Sequence, residues 1–234
     1  MNSPKTSKTC LLALGAFIVS SVVAWSEAAF PSSFDFGTDP GKVTASSAGF
    51  TVVSEGDTPP QDMANGLLLG NGEGFENVYF LQQFASLGGS NTTNFTLKMN
   101  TSIYQDSAGN NRRFGVQLFS LGDADSGISA QINRDGNSDL NLRLRNGVNG
   151  DDIATPVDFR SVNFNPGDEF SFTISGVYTG GNDLELSYTL SDGINTMTLT
   201  TIIDYTQYPG TLFGGSGRLR SNFTVEFESF SVIP

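Results

Sequence analysis

The sequence contains no histidine, and its 234 residues include one cysteine and one tryptophan. The absence of histidine excludes a Ser-His-Asp triad, a histidine-activated nucleophile and a histidine-ligated zinc ion. A single cysteine excludes an intramolecular disulfide, so a secreted form of this chain must be held together by its hydrophobic core. Long stretches of helical periodicity are missing as well, which argues against a helical or α/β fold.

The first 28 residues have the features of a secretory signal peptide. Lys5 and Lys8 precede an uncharged, mostly apolar run over residues 10–24, and small residues at 26 and 28 match a signal peptidase site. The run is shorter than the ~20 residues that a membrane-spanning helix needs. We therefore expect cleavage after Ala28, a single domain over residues 29–234, and a secreted or cell-surface protein without membrane insertion.

Cleavage at this position would leave a mature chain without cysteine, histidine or tryptophan, and with a strong acidic surplus. The whole sequence has 12 basic and 24 acidic residues, of which two basic and one acidic lie in the predicted signal peptide. The remaining net charge of −13 argues against nucleic acid and anionic membranes as partners. It favours a neutral glycan or a cell-surface or matrix polysaccharide, and it could attract divalent cations.

Short runs with an apolar residue at every second position recur along the chain, which is the pattern of strands with one buried face. The runs lie at 95–103, 114–118, 128–132, 140–144, 170–174, 184–190, 197–203 and 223–227, with turn residues at 135–137, 149–151, 180–182 and 191–193. The pattern predicts roughly twelve strands in an all-β, two-sheet antiparallel β-sandwich. A phase change in the last run predicts a bulge near Glu228-Ser229.

Three segments carry a family resemblance. The chain has Phe34-Asp35-Phe36-Gly37 near its start, Gly66-Leu67-Leu68-Leu69 after an irregular stretch, and Phe227-Glu228-Ser229-Phe230-Ser231-Val232 near its end. This order resembles the concanavalin A-like lectin/glucanase superfamily, in particular exported bacterial laminin-G-like jelly rolls. The resemblance covers nearly all of the predicted mature chain and implies a concanavalin-like jelly roll.

The last four residues carry a second resemblance. Ser231-Val232-Ile233-Pro234 is similar to the point where exosortase-sorted (PEP-CTERM-type) bacterial proteins pass from the ectodomain into a Val-Pro-Glu-Pro tail. No Glu-Pro pair, second apolar span or basic cluster follows in this sequence. Two interpretations stay open, because the tail could be absent from this version or the similarity could be accidental.

Paired carboxylates are the remaining catalytic option, because they are the machinery of glycoside hydrolysis. Glucanases of the resembled superfamily carry Glu-x-Asp-x-x-Glu on one strand. Asp183 with Glu185 and Glu226 with Glu228 have the first spacing, but each pair lacks the third acidic residue. Both pairs are more simply solvent-facing residues, so the sequence predicts a protein that is not an enzyme.

Tyrosines are the best candidates for a sugar platform, because a phenol ring suits a site that is apolar on one side and wet on the other. Tyr205 and Tyr208 lie in a polar strand-to-turn segment together with Asp204 and Gln207, and Tyr104 precedes another polar loop. We predict a ligand-binding patch on these five residues. The alternative is that the rings cap the edge of the core.

Calcium is the only cofactor that the sequence suggests, since closely spaced acidic residues supply the oxygen ligands that it prefers. Asp123 and Asp125 form one such loop, and residues 135–139 form another that reads more simply as a hairpin turn. The resemblance implies a structural calcium ion bridging the first and last strands, for which Asp35 and Glu228 are the nearest candidates.

Three functions of different classes follow from these observations. The first is a non-catalytic extracellular carbohydrate-binding or adhesive module, and the second is a structural cell-surface or matrix protein without a defined small ligand. A remote third is a glycan-active hydrolase with an unrecognised carboxylate pair.

Overall fold

The structure is a computed structural model, and it describes residues 27–36, 42–54, 61–63, 66–69, 75–106, 112–135, 139–160, 164–220 and 223–234. The strands within this part of the chain are β1 Glu27–Ala28, β2 Ser32–Asp35, β3 Thr51–Ser54, β4 Gln61–Met63, β5 Gly66–Leu69, β6 Phe75–Phe84, β7 Phe95–Asp106, β8 Arg112–Ser120, β9 Ile128–Asp135, β10 Asp139–Asn146, β11 Val157–Arg160, β12 Glu169–Gly180, β13 Asp183–Ser191, β14 Thr196–Asp204, β15 Leu212–Arg220 and β16 Phe223–Ile233. A short 3₁₀ helix spans Tyr205–Gln207. No described helix is long and apolar enough to cross a membrane.

The strands form two sheets. Sheet A has the order β1-β6-β15-β8-β9-β10-β11, with β3 also paired to β6, and sheet B has the order β14-β13-β12-β7-β16-β5-β4, with β2 also paired to β16. Pairs between named strands are antiparallel except for β1 and β6. The predicted two-sheet antiparallel β-sandwich is therefore confirmed. Strand β1 consists of the last two residues of the predicted signal peptide, and the cleavage site itself stays a prediction.

The core lies between the two sheets and is built from the alternating apolar positions that the sequence marks. Phenylalanine rings dominate it and meet edge to face, as in Phe80 against Phe227 with ring centroids 5.1 Å apart and Phe119 against Phe213 at 5.1 Å. This arrangement places the positive edge of one ring on the negative face of the next. This hydrophobic core stabilises the fold without an intramolecular disulfide, which a chain with one cysteine cannot form.

Strand β16 changes phase at the predicted bulge. Its inward residues are Phe223, Val225 and Phe227 before the bulge and Phe230 and Val232 after it, and all five are fully buried. The register with β7 shifts between Phe227 and Ser229, because one extra residue is inserted there. Without this insertion the second half of β16 would turn its apolar side chains towards solvent.

The outer face of sheet B is open and lined with hydroxyl groups. We call it the hydroxyl face; it consists of Thr96, Lys98, Asn100, Ser171, Thr173, Ser175, Ser187, Thr189, Ser191, Thr196, Thr198, Thr200, Ser229 and Ser231. Neighbouring members bond across strands, for example Thr189 Oγ1 with Thr198 Oγ1 at 2.9 Å, and Ser171 Oγ donates to Asn100 Oδ1 at 2.8 Å.

The outer face of sheet A is covered instead. Every residue of β8 is buried, although alternate side chains of this strand point away from the core. Two loops form the cover: the β8–β9 loop (residues 121–127) and the β10–β11 loop (residues 147–156). A small apolar cluster beneath them joins loop to sheet and consists of Tyr79, Leu81, Ala124, Val148 and Leu212.

Candidate functional site

Four loops from different parts of the chain meet at one end of the sandwich. The 85–94 loop contacts the 205–211 segment through the Gly89 amide, which donates to the Gly210 carbonyl at 3.1 Å. The β8–β9 and β10–β11 loops are joined by backbone bonds from Gly147 to Gly127 at 2.8 Å and from Val148 to Ala124 at 2.6 Å. We call the surface formed by these four loops the loop surface.

Tyr208 connects these two pairs of loops to each other. Its hydroxyl donates to Asn146 Oδ1 at 2.7 Å, which links the 205–211 segment to the end of β10. Gly147 follows Asn146 with a φ of 61°, and a Cβ placed there would lie 2.5 Å from the backbone carbonyl of Asp125. Glycine is therefore required at 147, both for the left-handed backbone and for the close approach of the two loops.

The β8–β9 loop is held by Asp123. One carboxylate oxygen of Asp123 accepts from the amides of Asp125 at 3.0 Å and Ser126 at 2.7 Å, while its carbonyl accepts from Gln117 Nε2 at 2.8 Å. This is the turn that aspartate favours, in which the side chain replaces a backbone acceptor. The carboxylate of Asp123 thus serves to fold the loop, and Asp125 is left exposed beside it.

Asn149 is the most highly connected side chain of the site. Its Oδ1 accepts from Arg113 Nη2 at 2.6 Å and from Arg218 Nη1 at 3.4 Å. Its Nδ2 donates to Asn77 Oδ1 at 3.2 Å and to Asp125 Oδ1 at 3.2 Å. Sequence reasoning missed Asn149, because nothing in the turn residues 149–151 indicates that this amide reaches three strands of a sheet.

The structure brings the predicted tyrosine patch together in part. Tyr205 and Tyr208 are both half-buried and pack against the core, and the Tyr205 ring meets Tyr178 edge to face at 5.0 Å. Burial raises the pKa of Tyr208, and burial together with Tyr205 raises the pKa of Tyr178 to about 12. These hydroxyls therefore stay protonated at neutral pH and can donate hydrogen bonds. Both interpretations of the rings, as a platform and as a cap of the core, fit this placement.

Asp204 and Gln207 have local roles in the same segment. Asp204 Oδ1 accepts from the hydroxyl of Thr206 at 2.6 Å and from its amide at 3.0 Å, which caps the short helix. These bonds, the Thr206 hydroxyl first, hold the pKa of Asp204 below its ordinary value, and Gln207 contributes to the same shift. Gln207 itself is exposed.

Tyr104 lies apart from the other predicted ligand residues. It projects from sheet B with 63% of its surface exposed. Strand β7 starts beside the loop surface at Phe95, and Tyr104 lies nine residues further along, a distance of roughly 30 Å at ~3.3 Å per residue. The structure therefore does not place Tyr104 with Tyr205 and Tyr208.

The calcium candidates are also spread over two places. Strand β2 pairs with β16 as the resemblance implies, and the Phe36 amide donates to the Glu228 carbonyl at 2.9 Å. The ammonium of Lys42, 3.6 Å from Asp35 Oδ1, supplies positive charge at this position. Among the residues that the structure describes, no group of three or more potential metal ligands occurs. Residues 136–138 of the second predicted loop lie outside that part of the chain, and structural calcium stays a prediction.

The paired carboxylates lie on the outer face of sheet B. Asp183 and Glu185 are exposed on β13, and Tyr188, at the position where a third acid would stand, is fully buried. Burial raises the pKa of Glu226, the charge of Glu228 raises it further, and Lys42 partly offsets both effects.

A separate cavity lies where the two sheets meet, away from the loop surface. It has a volume of about 230 Å³ and is lined by Arg160, Gly167, Asp168, Glu169, Asp192 and Ile194. Arg160 on β11 forms ion pairs with Asp168 and with Asp192, the latter at 2.9 Å, and so connects sheet A to sheet B. Sequence reasoning did not find this cluster, because its members come from β11, the start of β12 and the β13–β14 turn, and only the fold brings these together.

No protein-family model matches the chain, and no curated protein matches it. Solved structures are similar over most of its length. Lectin II from Ulex europaeus is 12% identical, covers 87% of this chain and 99% of its own, and has a TM-score of 0.52. The lectin from Bauhinia forficata in complex with GalNAc is 13% identical, covers 86% and 97%, and has a TM-score of 0.57. The exoplasmic/lumenal domain of VIP36 is 9% identical, covers 86% of both chains and has a TM-score of 0.54. The chain therefore has the β-sandwich fold of the concanavalin-like lectins.

Proposed function

We propose that the chain is a non-catalytic, exported carbohydrate-binding module and that the loop surface is where it binds a neutral glycan. The observation that carries this proposal is the contact of Tyr208 with Asn146 beside Asp125, which places a half-buried ring, an amide and a carboxylate on adjoining loops. Sugar sites combine an apolar surface with a few fixed polar groups in this way.

The polar groups of the loop surface match the needs of a sugar hydroxyl, which both donates and accepts. Asn146 is exposed and uses its Oδ1 to accept from Tyr208; its Nδ2 donates to no other residue in the described ranges. Asp125 uses Oδ1 to accept from Asn149, and its Oδ2 has no hydrogen-bond donor among the described residues. One donor, at the end of β10, and one acceptor, on the β8–β9 loop, are therefore available to a ligand.

The fold and the charge support the same proposal. The similar structures include the lectin UEA-II complexed with galactose, the Bauhinia lectin with GalNAc, and VIP36 in a form with Ca²⁺ and Man2. The net charge of −12 for the whole chain favours a neutral partner over an anionic one. The exosortase connection and cleavage after Ala28 belong to this proposal as expectations of export.

A glycan array with and without calcium tests the function, and variants test the site. We expect Tyr208→Phe and Asn146→Ala each to weaken glycan binding about tenfold, since each removes a hydrogen bond of the site. Tyr104→Ala is the matched control, because it removes an exposed tyrosine on β7 far from the loop surface and should leave binding unchanged. Absence of binding to every neutral glycan refutes the function, and equal losses in Tyr104→Ala and Tyr208→Phe refute the site.

A structural role on a cell surface or in a matrix is the second candidate, favoured by the hydroxyl face. That face is wide and open to solvent, with Lys98 among its hydroxyl groups and the acidic pairs further along the same side of sheet B. Its hydroxyl groups suit contact with hydrated polymers. A protein that binds no glycan on the array but co-sediments with an insoluble neutral polysaccharide would support this candidate instead.

A further inference from the structure

Asn149 uses both ends of its amide. The carbonyl oxygen accepts from two guanidinium groups, those of Arg113 at 2.6 Å and Arg218 at 3.4 Å. The amino group donates to Asn77 Oδ1 and Asp125 Oδ1, each at 3.2 Å. Two lone pairs and two N–H groups exhaust what a primary amide can offer, so this side chain is fully used.

Three of these partners form one row across sheet A. Arg218 on β15 stands opposite Asn77 on β6 and also opposite Arg113 on β8. The fourth partner, Asp125, belongs to the β8–β9 loop. One side chain of the β10–β11 loop therefore contacts three strands of the sheet and the neighbouring loop at once.

The two loops are also held down by packing that does not involve Asn149. Val148 and Ala124 belong to the apolar cluster beneath the loops, together with Tyr79, Leu81 and Leu212. A change at Asn149 should therefore leave the loops on the sheet but loosen the contact between them, which alters where the carboxylate of Asp125 stands relative to Asn146.

We propose that Asn149 is the positioning residue of the loop surface: it fixes the Asp125 carboxylate relative to Asn146 and thereby sets which glycans bind. The glycan part of this proposal rests on the proposed function, while the positioning part is a property of the free protein. No other natural side chain of this length reproduces the contacts. Aspartate keeps the acceptor for the arginines but sets a second carboxylate against Asp125, and leucine loses all four bonds.

Two variants of Asn149, to aspartate and to leucine, test the proposal through glycan binding. At pH 7.5 we expect glycan binding at least about tenfold weaker than in the natural protein, because two carboxylates then face each other. Asn149→Leu removes all four hydrogen bonds without adding a charge, so it should weaken glycan binding as well. Unchanged binding in both variants overturns the proposal. Asn100→Asp adds the same charge on the hydroxyl face and should leave binding unchanged.

Hydrogen exchange of residues 121–127 and 147–156 tests the positioning without any ligand. We expect Asn149→Asp to speed exchange in these loops at least about fivefold at pH 7.5. The double variant N149D/D125N reverses the polarity of the contact, because the amide then stands at 125 and the carboxylate at 149, and it should restore slow exchange. Fast exchange in the double variant overturns the positioning role. If the natural protein binds no glycan while the double variant restores exchange, the proposed function fails and the positioning role stands.

Discussion

Both outer faces of the sandwich carry polar side chains, but the two faces differ in how far those side chains are buried. On sheet A, Gln117, Gln131, Asn133 and Ser216 are at most 1% exposed, whereas the edge strand of the hydroxyl face leaves Thr196, Thr198 and Thr200 in solvent. Burying polar groups costs free energy unless they find partners. Within the described residues, Gln117 Oε1, Gln131 Oε1, Asn133 Oδ1 and Ser216 Oγ have no hydrogen-bond partner.

The side-chain amide donors on the outer face of sheet A offset the free energy that burying these oxygens costs. Gln131 Nε2 donates to the Val148 carbonyl at 3.2 Å, and Gln117 Nε2 donates to the carbonyls of Asp123 and Ser126. These side chains hold the two loops that form the loop surface. The polar residues of sheet A therefore serve the site, while those of sheet B serve mainly to keep an open face hydrated.

A single methyl group added at Gly147 should disrupt the packing of the two loops that cover sheet A. We expect Gly147→Ala to lower the free energy of unfolding by about 3 kcal/mol, since it combines left-handed strain with a clash. The added Cβ would lie 2.5 Å from the Asp125 carbonyl, and φ at this residue is 61°. Urea unfolding measures the change.

Gly193→Ala in the β13–β14 turn of sheet B is the matched control. Gly193 also has a positive φ, 83°, but nothing lies within 4 Å of its added Cβ. We expect a loss of about 1 kcal/mol from the backbone conformation alone. Similar losses at 147 and 193 would contradict the claim that the loops are tightly packed on sheet A.

Asp192, in the β13–β14 turn of sheet B, is a contrasting case, because its side chain is only 4% exposed and both of its carboxylate oxygens have donors. Its carboxylate accepts from Arg160, from the amides of Ile194 and Asn195, and from the Asn195 side chain. Burial raises its pKa, but the bonds from Asn195 and Ile194 and the charge of Arg160 outweigh burial and hold it below its ordinary value. We expect Asp192→Asn to cost about 2 kcal/mol at pH 7, since it removes charge-assisted bonds.

The pH dependence of this effect follows from the direction of the shift. A lowered pKa means that the folded protein binds fewer protons than the unfolded chain, so the stabilisation is complete above about pH 4 and is lost as the pH falls through the lowered value. Urea unfolding at pH 5 and pH 3 should show a smaller acid-induced loss in Asp192→Asn than in the natural protein. Asp183→Asn, at the exposed start of β13, should keep the natural acid sensitivity. An acid profile in Asp192→Asn identical to that of the natural protein would contradict the assignment.

The smallest expected effect is a gain in the free energy of unfolding, whereas the substitutions above lower it. Ser216→Ala removes a buried hydroxyl that has no partner, so we expect it to raise the free energy of unfolding by up to about 1 kcal/mol. Thr189→Val on the hydroxyl face removes an exposed hydroxyl and should change stability by less than about 0.5 kcal/mol. A clear loss in Ser216→Ala would show that its hydroxyl stabilises the fold, against the distinction drawn between the faces.

The fold follows closely from local sequence patterns. Alternation over residues 184–190 predicts β13, and the phase change after Phe227 predicts the bulge at Glu228. Such features are readable because one face of each strand must be apolar and a one-residue shift exchanges the faces. The long strands β6 and β15 were not predicted, because residues 78–82 and 212–217 are buried on both faces and show no alternation. The short strands β1 and β4 were not predicted either, since two or three residues carry no measurable period.

The site follows from the sequence only in part, because it depends on contacts between distant segments. Tyr208 was predicted from its polar neighbours, but its partner Asn146 lies 62 residues away. Asn149 gave no signal, since its role depends on Arg113 and Arg218 meeting in one row of sheet A. Asp125 was predicted as a metal ligand, and the structure shows its carboxylate in contact with an amide.

Strand β16 has a consequence for how the protein reaches this structure. It stands in the middle of sheet B, between β7 on one side and β5 and β2 on the other. The Asn100 side chain of β7 donates a hydrogen bond to Ser229 of β16, and these residues are 129 positions apart. The pairing of β16 with β7 must therefore close a long loop, at a cost in chain entropy, before its contacts stabilise the fold. Proteins dominated by such pairings fold in milliseconds to seconds. During that time the phenylalanine side chains of β16 and of the core residues that pack on them are exposed to solvent. Contact between unfolded copies in this interval would favour aggregation, so folding should be more efficient at low protein concentration.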